Sequence, residues 1–94
     1  MSQHRRTRTP TAVALVWNHR DAPVVSAQGK NATAEQILAI ARQHDIPLYE
    51  DAGLAQLLMQ LELGEQIPES LYHIIAEVIA FAYYISGQTS ISLK

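Results

Sequence analysis

The chain has no cysteine among its 94 residues. That excludes a disulfide framework and a thiolate metal site, and it agrees with a reducing compartment. Long apolar runs are missing too. Stretches such as Val78-Ile79-Ala80-Phe81-Ala82 fall well short of the roughly 20 residues that span a bilayer. The start, Met1-Ser2-Gln3-His4-Arg5-Arg6, is basic, but no apolar segment of signal-peptide length follows it. These absences read as a cytosolic chain without a transmembrane segment. There is no Gly-rich phosphate loop and no G-x-S-x-G nucleophile elbow. Cations are scarce: seven Lys and Arg stand against nine Asp and Glu, for a net charge of −2. Their placement is uneven. Arg5, Arg6 and Arg8 lie within the first eight residues with no acid among them, whereas Arg42 is the only Lys or Arg from Asn31 to Leu93. A basic arm on an acidic body points to one functional class, binding of nucleic acid or an anionic membrane surface through counterion release.

What is present is a core. Apolar residues make up 48% of the chain, enough for one small domain. Residues 1–11 are polar and without period, and read as a disordered basic arm. Ala12–Trp17 and Ala22–Gln28 are short apolar runs around the turn chemistry of Asn18-His19-Arg20-Asp21. They read as a strand pair, the second ended by Gly29-Lys30-Asn31. Thr33-Ala34-Glu35-Gln36 has the form of a capping box, and Ile37, Leu38, Ile40 and Ala41 follow as an apolar helical stripe that stops near His44-Asp45. Ile46–Glu50 reads as a short edge strand because Pro47 cannot donate to a ladder.

Asp51 is an N-cap candidate for a helix over Ala52–Glu62, terminated by Gly64. A third helix starts after Pro68 and lasts to Gly87, a natural αL terminator. Gln88–Lys94 reads as a polar tail with Ile91 and Leu93 in alternation. The order strand, strand, helix, strand, helix, helix predicts a small α/β sandwich: one mixed sheet of three or four short strands packed with three helices.

Several segments together carry a family resemblance: Ala12-Val13-Ala14-Leu15, Ala22-Pro23-Val24-Val25 through Gly29, Ile46-Pro47-Leu48-Tyr49-Glu50, Gly64-Glu65-Gln66-Ile67-Pro68-Glu69-Ser70-Leu71-Tyr72 and Ala76-Glu77-Val78-Ile79-Ala80-Phe81. The span 12–87 resembles the C-terminal cytoplasmic domain of the FlhB family, the substrate-specificity switch proteins of flagellar and injectisome type III export. Members of that family cleave themselves at Asn-Pro-Thr-His, where the Asn side-chain amide attacks its own carbonyl and closes a succinimide. The corresponding residues here are Thr9, Pro10, Thr11 and Ala12. Thr9 offers only a hydroxyl on Cβ and cannot close that ring, and no Asn-Pro pair occurs anywhere in the chain. The resemblance therefore implies a non-enzymatic counterpart of the cleaved fragment, without autocleavage, cofactor or metal.

The resemblance also implies an apolar patch for export substrates at Ala22, Pro23, Ala76 and Ile79. It implies partners among export substrates or the export apparatus, and a place in the cytoplasm or peripheral to the inner-membrane apparatus. The family's strand upstream of the cleavage motif has no counterpart here. Two outcomes follow for the edge beside Ala12–Trp17: it stands open for strand addition, or Thr89–Leu93 folds back and covers it, and the sequence does not choose between them.

The remaining polar residues have plain structural explanations. His4, His19, His44 and His73 lack metal-ligand spacing. Glu50-Asp51, the adjacent acid pair, suits N-capping better than acid–base chemistry.

Overall fold

The structure, a computed structural model, describes residues 10–18, 20–87 and 90–94. The first two apolar runs form β1 (Thr11–Val16) and β2 (Val24–Lys30), paired antiparallel with a bulge between Ala14 and Leu15. β2 runs on through Gly29 and Lys30, where the sequence suggested a break. The reversal comes one residue later, at Asn31, whose φ is 55°. Asn31 takes this positive-φ turn with ψ at −124°, outside the αL well. Its amide donates to the Pro10 carbonyl at 2.9 Å and closes the end of the strand pair.

Three helices follow: α1 (Ala32–Gln43), α2 (Ala52–Leu58) and α3 (Tyr72–Ser86), the last entered through a 3₁₀ turn over Glu69–Leu71. β3 is only Leu48–Tyr49, and β4 is Ser90–Leu93. The sheet order is β2-β1-β4-β3. β4 pairs antiparallel with β1 and parallel with β3. The result is one mixed four-stranded sheet with three helices, the α/β architecture expected.

β4 corrects one expectation about the chain's end and decides between two others. Of the segment 88–94 expected as a polar tail, the described residues 90–94 are not one, because Ile91 and Leu93 are completely buried and Ser92 nearly so. Of the two outcomes left open for the edge beside β1, the fold takes the one in which the chain's end covers it: Val13, Ala14, Leu15 and Val16 face Leu93, Ser92, Ile91 and Ser90. Strand addition at that edge is thereby ruled out while β4 holds its place. Ladder bonds to β4 satisfy backbone groups that would otherwise recruit a partner.

Alternation along the strands sorts side chains to two faces. Val13, Leu15, Val25, Ile91 and Leu93 join Leu54, Leu58, Ile67, Ile75, Val78 and Ile79 in one continuous core. The other face of β1 carries Ala12 and Ala14, and α1 packs there against β1, β2 and β4. α1 buries only Ala34 and Ala41, while Ile40 is 54% exposed. The expected stripe of α1 is its contact face in part: Ala41 is buried and Ile37 and Leu38 are half-buried, and only Ile40 turns outward. A sheet face of small residues brings the helix close, and alanines fit that gap.

Helix ends differ from the capping reading at one place and agree at others. Thr33 lies inside α1 and caps nothing; Asn31 precedes the helix without a side-chain cap bond. Asp51 does cap α2, its Oδ1 accepting the Leu54 amide at 3.1 Å. α2 ends at Leu58 rather than Glu62, because the chain is drawn off to pair with β2. The Gly64 amide donates to the Val25 carbonyl at 2.7 Å and the Val25 amide to the Glu65 carbonyl at 3.0 Å. Gly64 makes that departure at a φ of 85°. α3 closes at Gly87 with φ 70°, its amide bonded to the Tyr83 carbonyl at 2.8 Å.

Candidate functional site

The four residues singled out by the resemblance come together. Ala22, Pro23, Ala76 and Ile79 line one groove of about 820 Å³ between the β1–β2 loop and α3, a volume within the range of binding clefts. The loop wall is held by short-range polar bonds. Asn18 Oδ1 accepts the amides of Arg20 and Asp21, each at 2.9 Å. The Trp17 indole N–H donates to the Asp21 carbonyl at 2.9 Å. The loop's far end is anchored where the Ile67 amide donates to the Pro23 carbonyl at 2.8 Å.

The helix wall follows from 3.6-residue spacing. Tyr72, Ala76, Ala80 and Tyr83 fall on one flank of α3 and all line the groove. Ile75 and Ile79 lie deeper, 1% and 4% exposed, and belong to the core as well. The groove therefore has small side chains along its length, aromatic rings at Trp17, Tyr72 and Tyr83, and one charge of each sign at Arg20 and Asp21. Small residues between aromatic walls leave room for a bulky apolar side chain, and the amphipathic rings suit a surface that is apolar at one end and wet at the other.

Trp17, Tyr72 and Tyr83 were not assigned to the site from sequence. A signal existed for the α3 members, since Tyr72 and Tyr83 bracket Ala76 at spacings of four and seven. Trp17 carried none, because its place depends on how the β1–β2 loop folds over α3. The neighbouring Tyr84 points outward, 92% exposed.

Of the cleavage-motif positions, Thr9 lies outside the described residues. Pro10 is exposed, Thr11 is 8% exposed and Ala12 fully buried. Thr11 Oγ1 accepts from Gln56 Nε2 at 3.1 Å. The motif's position is thus built into the start of β1. Arg5, Arg6, Arg8, His4 and His19 also lie outside the described residues. His44 Nδ1 lies 3.0 Å from the Ile40 carbonyl, and His73 Nε2 lies 3.6 Å from Glu77 Oε2 on the exposed side of α3. Among the described residues no group of three or more His, Asp or Glu is placed to hold a metal ion, and no helix is long and apolar enough to cross a membrane.

Residues 8–82 match the family model described as FlhB HrpN YscU SpaS Family. The uncharacterized protein YlqH of Bacillus subtilis is 39% identical over 74 residues, covering 77% of this chain and 80% of that one. The flagellar biosynthetic protein FlhB of Yersinia enterocolitica is 41% identical over 80 residues, which is 82% of this chain but 21% of that protein. The chain thus spans about a fifth of the length of the FlhB relatives it matches. Among solved structures, a single-substitution variant of the EscU C-terminal domain superposes with a TM-score of 0.75 at 33% identity. It covers 80% of this chain and 94% of that one.

Proposed function

This chain belongs to the FlhB HrpN YscU SpaS family, and from that membership we propose that it is a non-enzymatic interaction module of flagellar or type III protein export. It binds an export substrate or an export-apparatus protein in the groove between the β1–β2 loop and α3. It works in the cytoplasm, at or near the inner-membrane apparatus, as a counterpart of the family's cleaved C-terminal fragment. The single observation that supports this reading is the convergence of Ala22, Pro23, Ala76 and Ile79 on one apolar groove with aromatic walls. Fold alone would not be enough, since a fold hosts many uses and function lies in the site.

The test is a pull-down from the native cell with the intact chain as bait, repeated with Ala76→Glu. Ala76 is exposed in the groove, so the charge blocks the site without entering the core. Ile79→Asp is the wrong variant for this purpose, because a carboxylate at a 4% exposed position threatens the fold itself. The expected result is recovery of rod or hook subunits, or of the membrane half of the export gate, lost on Ala76→Glu. Recovery of nucleic acid alone, or capture indifferent to Ala76→Glu, would overturn the proposal.

A further inference from the structure

We propose that a second groove, between α1 and α2, docks the chain's own arginine-bearing arm, residues 1–8. This groove of about 930 Å³ has Leu38 and Ala55 among its apolar lining and the carboxylates of Glu35, Glu50 and Asp51 around it, with Lys94 the sole cation among the described residues that line it. Ala55 is fully buried beneath it.

Three observations select the arm as occupant. The first is where the arm is rooted. Pro10 and Thr11 are themselves part of the groove wall. Both are fixed there, Pro10 through its carbonyl to the Asn31 amide at 2.9 Å and Thr11 through its hydroxyl to Gln56 at 3.1 Å. The second is reach. A residue extends the chain by at most about 3.6 Å, so the two positions that separate Arg8 from Pro10 keep the groove within reach of its side chain. The third is charge. Arg5, Arg6 and Arg8 come with no acid among the first eight residues, and the groove they leave from is net acidic. The groove along α3 offers no such complement, since its Arg20 is matched by Asp21.

Within the acidic groove, Asp51 already accepts the Leu54 amide through Oδ1. Glu35 and Glu50, both exposed, are the carboxylates that receive the guanidinium groups, which match carboxylate geometry with two parallel N–H donors. Each such contact is weak in water. The tether compensates by holding the arm at an effective concentration in the millimolar range. A docked arm is withheld from nucleic acid and anionic lipid, so these would compete with the groove for the same arginines.

The absence of cysteine makes the test direct. Ser2→Cys in the full chain takes a single nitroxide label, and paramagnetic broadening of backbone amide signals maps where the arm dwells. At low salt the expected result is loss of intensity at Glu35, Leu38, Glu50 and Ala55. The loss reverses at about 0.5 M salt, where the screening length falls to roughly 4 Å, and in the Glu35→Gln/Glu50→Gln variant, which leaves the Asp51 cap intact. Uniform broadening, broadening centred on Ala76, or persistence at high salt would overturn the proposal. So would broadening seen only between molecules, when a labelled chain is mixed with an isotope-enriched unlabelled one, because the occupant would then be a second copy's arm.

Discussion

The side chain of Thr33, in the first turn of α1, fills the space that a Cβ on Gly29 would occupy. A Cβ built there collides with the Thr33 methyl carbon and lies 2.7 Å from Thr33 Cβ. Glycine near the end of β2 is therefore a condition for α1 to pack so closely on the sheet, and Thr33 serves packing where its sequence pattern suggested capping.

Gly29→Ala should accordingly overpack the β2–α1 contact, at a cost of about 1–3 kcal/mol. For a domain of this size that is a fall in Tm of roughly 4–8 °C per kcal/mol. Gly53→Ala is the control. Its added Cβ meets only Asp51 Oδ1, at 3.7 Å, and an alanine in the helix should gain about 0.5–1 kcal/mol. Thermal unfolding of the two variants should move in opposite directions.

Ile91 tests the place of β4. It stands opposite Leu15, and both are completely buried. Ile91→Ala should cost about 2–5 kcal/mol, a large share of the roughly 5–15 kcal/mol that holds a domain together. The midpoint of urea unfolding reports it. A tail without structural role would leave that midpoint unchanged.

Asp51→Ala removes the side-chain acceptor of the Leu54 amide at the start of α2. Loss of an N-cap of this kind costs about 0.5–2 kcal/mol. Asp51→Asn keeps an acceptor at the same reach and should recover most of the loss, which chemical denaturation would measure.

Intact mass checks the absence of self-cleavage. With Thr9 before Pro10 and no Asn-Pro pair in the sequence, the purified protein should run as one species of 10.4 kDa after prolonged incubation. Two fragments parted near Pro10 would contradict the reading.

Legibility from sequence followed the range of the interactions involved. The Asp51 cap, the Gly87 terminator and the β1–β2 pair rest on neighbours within a few residues, and local pattern was enough to find them. Ser90-Ile91-Ser92-Leu93 alternates as a strand should, but a four-residue strand is stabilised by what flanks it in the sheet. Its flanks, β1 and β3, are distant in sequence. The α1 contact face was legible in part for a related reason. Helical spacing finds Ile37, Leu38 and Ala41, yet the facing surface of β1 carries alanines, and that draws in Ala34 and leaves Ile40 outside. In the groove, Ala22, Pro23, Ala76 and Ile79 came from resemblance, and only the folded loop shows Trp17 beside them.

The interior position of β4 also sets an order of events during synthesis. β1 leaves the ribosome well before β4, the strand that seals its second side and lies roughly 70 residues later in the chain. At roughly 5–20 residues per second, the nascent sheet waits on the order of several seconds with an unsatisfied edge. Any protector acting on this polypeptide at birth would find its target in the backbone of Val13 to Val16, and would be dismissed once Ser90 to Leu93 have emerged and paired there.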